Sequence, residues 1–199
     1  HYRGGSGGAV RVAGNTASLN ASHSMLHSSK GSGLSVREGG RVVLEHCEVS
    51  RCGMNGVDVQ GKRSSVCLRH CSMEENVGST IYVRLGAYAR LESTASSGSK
   101  ANGWFVYGAN SCLTANESET SHNGWNGAAA SSGGVIKLVR SVCHKNGKNG
   151  FWSSGQGSCI TATHSHSKSN KAGNAVMENN GRITLHGTCT LEGQTVLQQ

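Results

Sequence analysis

Short apolar runs of alternating polarity, each cut off by glycine or a polar turn, make up almost the whole chain. The clearest stretch runs Gly33-Leu34-Ser35-Val36-Arg37, Glu38-Gly39-Gly40, Arg41-Val42-Val43-Leu44, Glu45-His46 and Cys47-Glu48-Val49, before a polar segment leads to Gly56. Side chains alternate faces along a strand, so Leu34 with Val36, Val42 with Leu44, and Cys47 with Val49 define the inner sides of three short strands. No apolar series persists at helical spacing for three turns, and glycine interrupts every few residues, which argues against helices. The unit recurs. A leucine-type residue returns at Leu19, Leu44, Leu68, Leu91, Leu113, Leu138, Ile160 and Leu185, a near-constant period of about 22 to 25 residues. A repeat this short cannot bury its apolar face alone, so the pattern predicts three-stranded coils stacked on one another. Glycines at the coil starts read as positions needing positive φ or tight turns, and Asn55, Asn102, Asn126 and Asn149 before them as Asn-Gly turns.

Composition narrows this picture without changing it. Hydrophobic residues are 35% of the 199, glycine numbers 29, and proline is absent. Such a lean mixture is close to that of disordered chains, but disorder would not keep Leu, Val and Ile at a fixed period. The expected inner ladder three residues beyond each leucine reads Ser22, Cys47, Cys71, Thr94, Asn116, Ser141, Thr163 and Thr188. An interior of that kind requires hydroxyls and amides to bond along the stack. The eight cysteines include no CxxC pair; most occupy ordinary strand positions, and Cys47, Cys71 and Cys143 fall where other coils place Val, Ser or Thr. They read as small buried residues, which slightly favours a reducing intracellular compartment and leaves the localisation otherwise unknown. No segment has the length of a membrane-spanning helix.

The pattern Val-x-Leu-x-x-Cys-x-Val, a polar turn, then Gly-x-x-Val resembles the parallel β-helix repeat of the pectate-lyase-like superfamily. The resemblance runs through nearly the whole chain. It implies an all-β fold, a single-stranded right-handed parallel β-helix (solenoid) of about eight coils, each of about 22–25 residues. Residues 1–199 then form one domain. The chain begins at His1 rather than Met, and neither end offers a capping helix, so a place in a longer chain or assembly is expected. The superfamily includes polysaccharide lyases, hydrolases, adhesins and non-catalytic recognition modules, so the fold alone does not assign an activity.

Equivalent outward positions of successive coils become neighbours in such a stack. The second residue after each coil-start glycine gives Ser35, Asp58, Tyr82, Phe105, Ala129, Trp152 and Ala175, and two residues further stand Arg37, Gln60, Arg84, Tyr107, Ser131 and Ser154. Tyr82, Phe105, Tyr107 and Trp152 are the candidate binding face, suited to a protein partner or to sugar rings. Against this stands the plain reading of a β-surface enriched in aromatics by propensity. A second cluster, Glu119, His144 and His166, is expected on three adjacent coils with Glu117 and His164 beside it. It could hold zinc or a similar ion, against the reading of an ordinary solvated ladder. His46 and His70 should stack in the two-residue turn. Lys100, Lys145, Lys148, Lys168 and Lys171 form an expected basic edge, consistent with a net charge of +8, or simply with solubilising turn charge.

Glycoside chemistry needs two cooperating carboxylates, and calcium sites need several. The chain has a single aspartate, Asp58, and its glutamates are scattered. Asp58 with Arg37 or Arg84 is the one lyase-like arrangement. The expected function is therefore a non-catalytic scaffold or binding subunit that contacts a protein partner in a larger assembly, with no cofactor. The alternative is a polysaccharide lyase, glycoside hydrolase or glycan-binding module using the aromatic face. An acidic glycan is the second candidate partner, and nucleic acid is not expected, because no base-reading motif accompanies the lysines.

Overall fold

The computed structural model describes residues 2–4, 8–28, 30–193 and 196–197. Their strands form three parallel sheets of nine, nine and eight strands, in which each strand pairs with its counterpart one coil earlier and one coil later. One coil takes a strand from each sheet, for example Leu34–Arg37 of the second sheet, Arg41–Glu45 of the third and Glu48–Ser50 of the first. The result is an all-β solenoid of about eight turns, as the periodicity implied. Among the described residues no helix is long and apolar enough to cross a membrane.

Pairing corrects the leucine register. The residues in line with Leu44 are Ala21, Leu68, Leu91, Ala115, Leu138, Ala162 and Leu185. Their separations alternate between 23 and 24 residues, the same two intervals that divide the bonded pairs Asn126–Asn149 and Asn146–Asn170. Leu19, Leu113 and Ile160 instead occupy the neighbouring inner rung, with Val42, Val66, Ala89, Ile136 and Ile183. Both positions face inward because they are two residues apart, so the larger side chain can sit at either. Ala89 accompanies Leu91, whereas Leu113 accompanies Ala115 and Ile160 accompanies Ala162. Other coils fill both rungs with large residues, as Val42 with Leu44 and Ile136 with Leu138. Trp104 and Phe151 are fully buried on the second sheet with Ala128 between them in register, the same compensation along the axis.

The inner polar ladder shifts correspondingly. Ser118 and Ser165, not Asn116 and Thr163, are the buried members, Ser24 replaces Ser22, and Cys189 rather than Thr188 takes the position in the last coil. Several members donate to a carbonyl of the preceding coil: Cys71 to Leu44 at 3.5 Å, Thr94 to Leu68 at 3.2 Å, Ser141 to Ala115 at 3.3 Å and Cys189 to Ala162 at 3.4 Å. The hydroxyls also accept backbone N–H groups, from Thr94 to Ser118 Oγ and from Ser118 to Ser141 Oγ. Burial pushes the Cys71 thiol up to about 11, so the sulfur keeps the proton it donates. All eight cysteines are free.

Coil-start glycines do not act through positive φ. Gly33, Gly56, Gly103, Gly127 and Gly150 lie outside the left-handed region and are required by close approach. A Cβ at Gly150 would overlap Ser167 Oγ and Asn170 Nδ2. The left-handed residues are instead at the corners, as at His46, His70, Glu117 and Arg140, whose φ values lie between 46° and 51°. The asparagines before the glycines are likewise ladder members rather than turn residues: Asn126 donates to Asn102 Oδ1 at 3.1 Å, and Asn149 to Asn126 Oδ1 at 3.0 Å. A second, deeper ladder runs through Asn123, Asn146 and Asn170. Asn146 Oδ1 accepts from the Asn123 backbone and side chain, and its Nδ2 donates to Asn170 Oδ1 and Thr120 O. Truncating Asn146 strands these buried groups in two neighbouring coils. Asn146→Ala is expected to cost about 2–4 kcal/mol in urea unfolding, against about 0.5 kcal/mol or less for the exposed Asn20→Ala.

Candidate binding face and basic corner

The outward row of the second sheet carries the candidate face. Ser35, Asp58, Tyr82, Phe105, Ala129 and Trp152 follow one another in register, and the next member is Val176 rather than Ala175. A one-residue offset puts Ala175 beside Phe151 on the inner side. Tyr82 and Phe105 stack with centroids 5.0 Å apart and planes within 5°, and Tyr107 tilts against Phe105 at 6.2 Å. Strand spacing is close to ring spacing, so adjacent aromatics on a parallel sheet fall into contact without further design. Trp152 stands two coils beyond Phe105, with Ala129 between.

Asp58 is 4% exposed at the other end of this row. Its Oδ2 accepts from Arg37 at 3.3 Å and from Arg84 at 3.4 Å, and the Arg84 guanidinium also lies 5.0 Å from the Tyr82 ring centroid. Arg37 Nε donates to Ser35 Oγ. Asp58 Oδ1 and Arg84 Nε are buried without a protein partner, and both residues line a concavity of about 360 Å³. Two guanidiniums pair with this one carboxylate, and no second carboxylate is among the lining residues. Burial raises the Tyr82 hydroxyl above the ordinary tyrosine value.

Glu119, His144 and His166 do not stack as counted from the leucines. Glu119 is in register with Val142, which pairs with His166, whereas His144 lies between Ser121 and Lys168. The reason is a two-residue offset at both Leu113 and Ile160, which displaces the positions counted from each. Glu119 Oε1 still meets His144 Nε2 diagonally at 2.7 Å, and His122 packs edge-on against His144. His166 turns away to Thr190. Among the described residues no three His, Cys, Asp or Glu side chains converge as a metal site would require. Glu117 pairs with Arg140 at 2.9 Å. His23, His46 and His70 stack at 5.1 and 5.0 Å along the two-residue corner.

The lysines Lys100, Lys145, Lys148, Lys168 and Lys171 are all exposed around the corner that joins the first sheet to the second. Sequence reasoning missed the residue that links this corner to the face. Trp125, half exposed, lies under Lys148, whose Nζ is 4.9 Å from its ring centroid. The signal was present: Asn-Gly-Trp-Asn-Gly at 123–127 recurs as Asn-Gly-Lys-Asn-Gly at 146–150. Trp125, Phe105 and Trp152, with Asn126, Lys148 and Glu178, line a cup of about 340 Å³.

This architecture defines a parallel β-helix. A sequence model described as "Right handed beta helix region" matches residues 8–166, and the chain belongs to that family. No curated protein matches the sequence. Among solved structures it is similar to a crystal structure of pectate lyase Pel9A, with a TM-score of 0.58 and 12% identity over 86% of this chain. The chain spans 57% of the length of that lyase, and a likeness at this identity concerns the fold.

The hydrogen bond from His144 holds the Glu119 carboxyl below the ordinary glutamate range. Its contribution to stability is complete above that range and is lost as the pH falls through the depressed value. With the carboxylate half exposed, it amounts to less than about 1 kcal/mol. In an NMR titration, His144→Gln is expected to move the Glu119 midpoint up; an unchanged midpoint would assign the depression to another group.

Proposed function

We propose that this β-helix is a non-catalytic binding subunit that contacts a protein partner through the outward face of its second sheet. The observation that carries this reading is the combination on one face of stacked aromatics and arginines with a lone, doubly paired aspartate. Aromatic and arginine side chains are what protein interfaces concentrate at their energetic centres, because they bury large areas at low entropic cost. Acid–base chemistry would need a carboxylate free to exchange a proton beside a second one, and Asp58 is committed to Arg37 and Arg84.

A glycan-binding module is the second reading, favoured by one specific observation. The cup between Phe105, Trp125 and Trp152 offers aromatic surface for the apolar faces of a sugar ring, with carboxamides at its edge. The two readings separate experimentally. Tagged protein purified from its native source should retain a stoichiometric protein partner. Tyr82→Ser with Trp152→Ser should lose it, by an expected factor of about 100 in affinity, while the unfolding midpoint stays within a few degrees. Turnover of an acidic polysaccharide that vanishes in Asp58→Ala would overturn the proposal in favour of a lyase.

A further inference from the structure

The ion pairs of this protein divide its cations into two populations. Arginines take the paired carboxylates, as in Arg51–Glu75, Arg69–Glu92, Arg84–Asp58 and Arg140–Glu117, and among the described residues no lysine forms an ion pair. Charge is also unevenly spread along the axis. Beyond Glu119 the only acidic side chains are Glu178 and Glu192, against seven lysines and arginines. Four of these seven, Lys145, Lys148, Lys168 and Lys171, gather on two successive coils at one corner, all exposed.

The same corner holds a concavity that its own side chains do not fill. Trp125 and Lys148 rise from a backbone ladder otherwise made of small residues, since Ala101 and Ala172 flank them in the hydrogen-bonded stack. Gly124 and Gly147 beside them have no room for a side chain, because a Cβ at either would strike the carbonyl of the coil below. The cup is lined by Phe105 and Trp152 from the face and by Trp125 and Lys148 from the corner. Glu178 contributes to its lining. A uniformly charged polyanion drawn across the cup would meet that carboxylate. A chain whose acidic groups rest on the lysines, and whose apolar ring enters the cup, would not.

Resting on the protein-partner reading above, we infer that the partner presents an acidic segment interrupted by an aromatic residue, seated with its ring in the Phe105–Trp125–Trp152 cup and its carboxylates along Lys145, Lys148, Lys168 and Lys171. The lysines supply steering and register at the rim, and the cup supplies the anchor. Displacing Lys148 from the Trp125 face costs one exposed cation–π contact and frees its ammonium for a carboxylate.

The probe is a fluorescein-labelled short peptide of glutamate and glycine with a central phenylalanine, titrated by anisotropy with the full chain. Binding should weaken about tenfold when the phenylalanine is replaced by serine, and by a similar factor in Trp125→Ala. It should fall further in Lys148→Glu with Lys171→Glu, and stay within about twofold in Lys62→Glu with Lys137→Glu, on other faces. Raising salt from about 50 to about 300 mM should weaken it. Absence of peptide binding, indifference to Lys148→Glu with Lys171→Glu, or tighter binding of a heparin fragment or an oligothymidylate would overturn the inference. Retention of the native partner by Lys148→Glu with Lys171→Glu would also overturn it and leave the protein-partner reading intact; that reading itself falls if Tyr82→Ser with Trp152→Ser keeps the partner.

Discussion

Every coil hydrogen-bonds in register to the coil before it and the coil after it, and the rest of the molecule obeys this stacking. A solenoid whose hydrophobic content is only 35% has no large core to fall back on. Its stability is a sum of interfaces between neighbouring coils, each made of backbone bonds, a few apolar side chains and a polar rung. Hence the polar rungs must be satisfied as completely as the backbone. The asparagine, serine and cysteine ladders accomplish this by bonding to carbonyls and N–H groups of adjacent coils, so that one coil cannot shift without stranding groups in two others.

Stacking also explains what each corner demands. Turning from one sheet to the next within a residue or two calls for left-handed backbone, and histidine, glutamate and arginine take those positions at φ near 50°. Placing a non-glycine residue there carries a steric cost of order 1 kcal/mol. The stack offsets it by pairing or stacking corner side chains along the axis, as in His23–His46–His70 and Glu117–Arg140. Glycine stands where coils approach too closely for a Cβ, as at Gly150, and also takes positive φ in turns with open space around them, as at Gly108.

The fold was legible because the apolar period survives every local substitution, and the aromatic row was legible because outward positions follow the coil start directly. What misled was the equivalence of two inward positions two residues apart. Leu113 and Ile160 serve the core as well from the neighbouring rung, with Ala115 and Ala162 yielding the space. Counting from leucine to leucine therefore carried an error of two residues into Asn116, Thr163 and the Glu119–His144–His166 group. Asparagine was a better ruler than leucine. Asn123, Asn146 and Asn170 recur at 23 and 24 residues because a carboxamide bridging coils has no alternative position, whereas a methyl group has many. Pairing across coils is also what sequence alone did not reveal at Trp125 and Lys148, or in the double pairing of Asp58.

The division of labour between arginine and lysine follows from the same geometry. On a ladder with strand-like spacing, a guanidinium reaches a carboxylate one coil away and can hold it in a fixed direction, which an ammonium on a flexible stem does less well. Arg69 and Arg140 are used in this way, and so is Arg84, which crosses to Asp58 while covering Tyr82. Paired charges of this kind present little net field. The exposed lysines at the corner near Trp125 have few carboxylates within their part of the chain, and their charge projects into solvent. Neighbouring surfaces of the rod thus differ in kind: an aromatic face whose two guanidiniums are held by one carboxylate, and a corner whose ammoniums are left for something else to meet. The cup lies where the two join, so a partner that uses either surface is brought to the other by the stacking that built both.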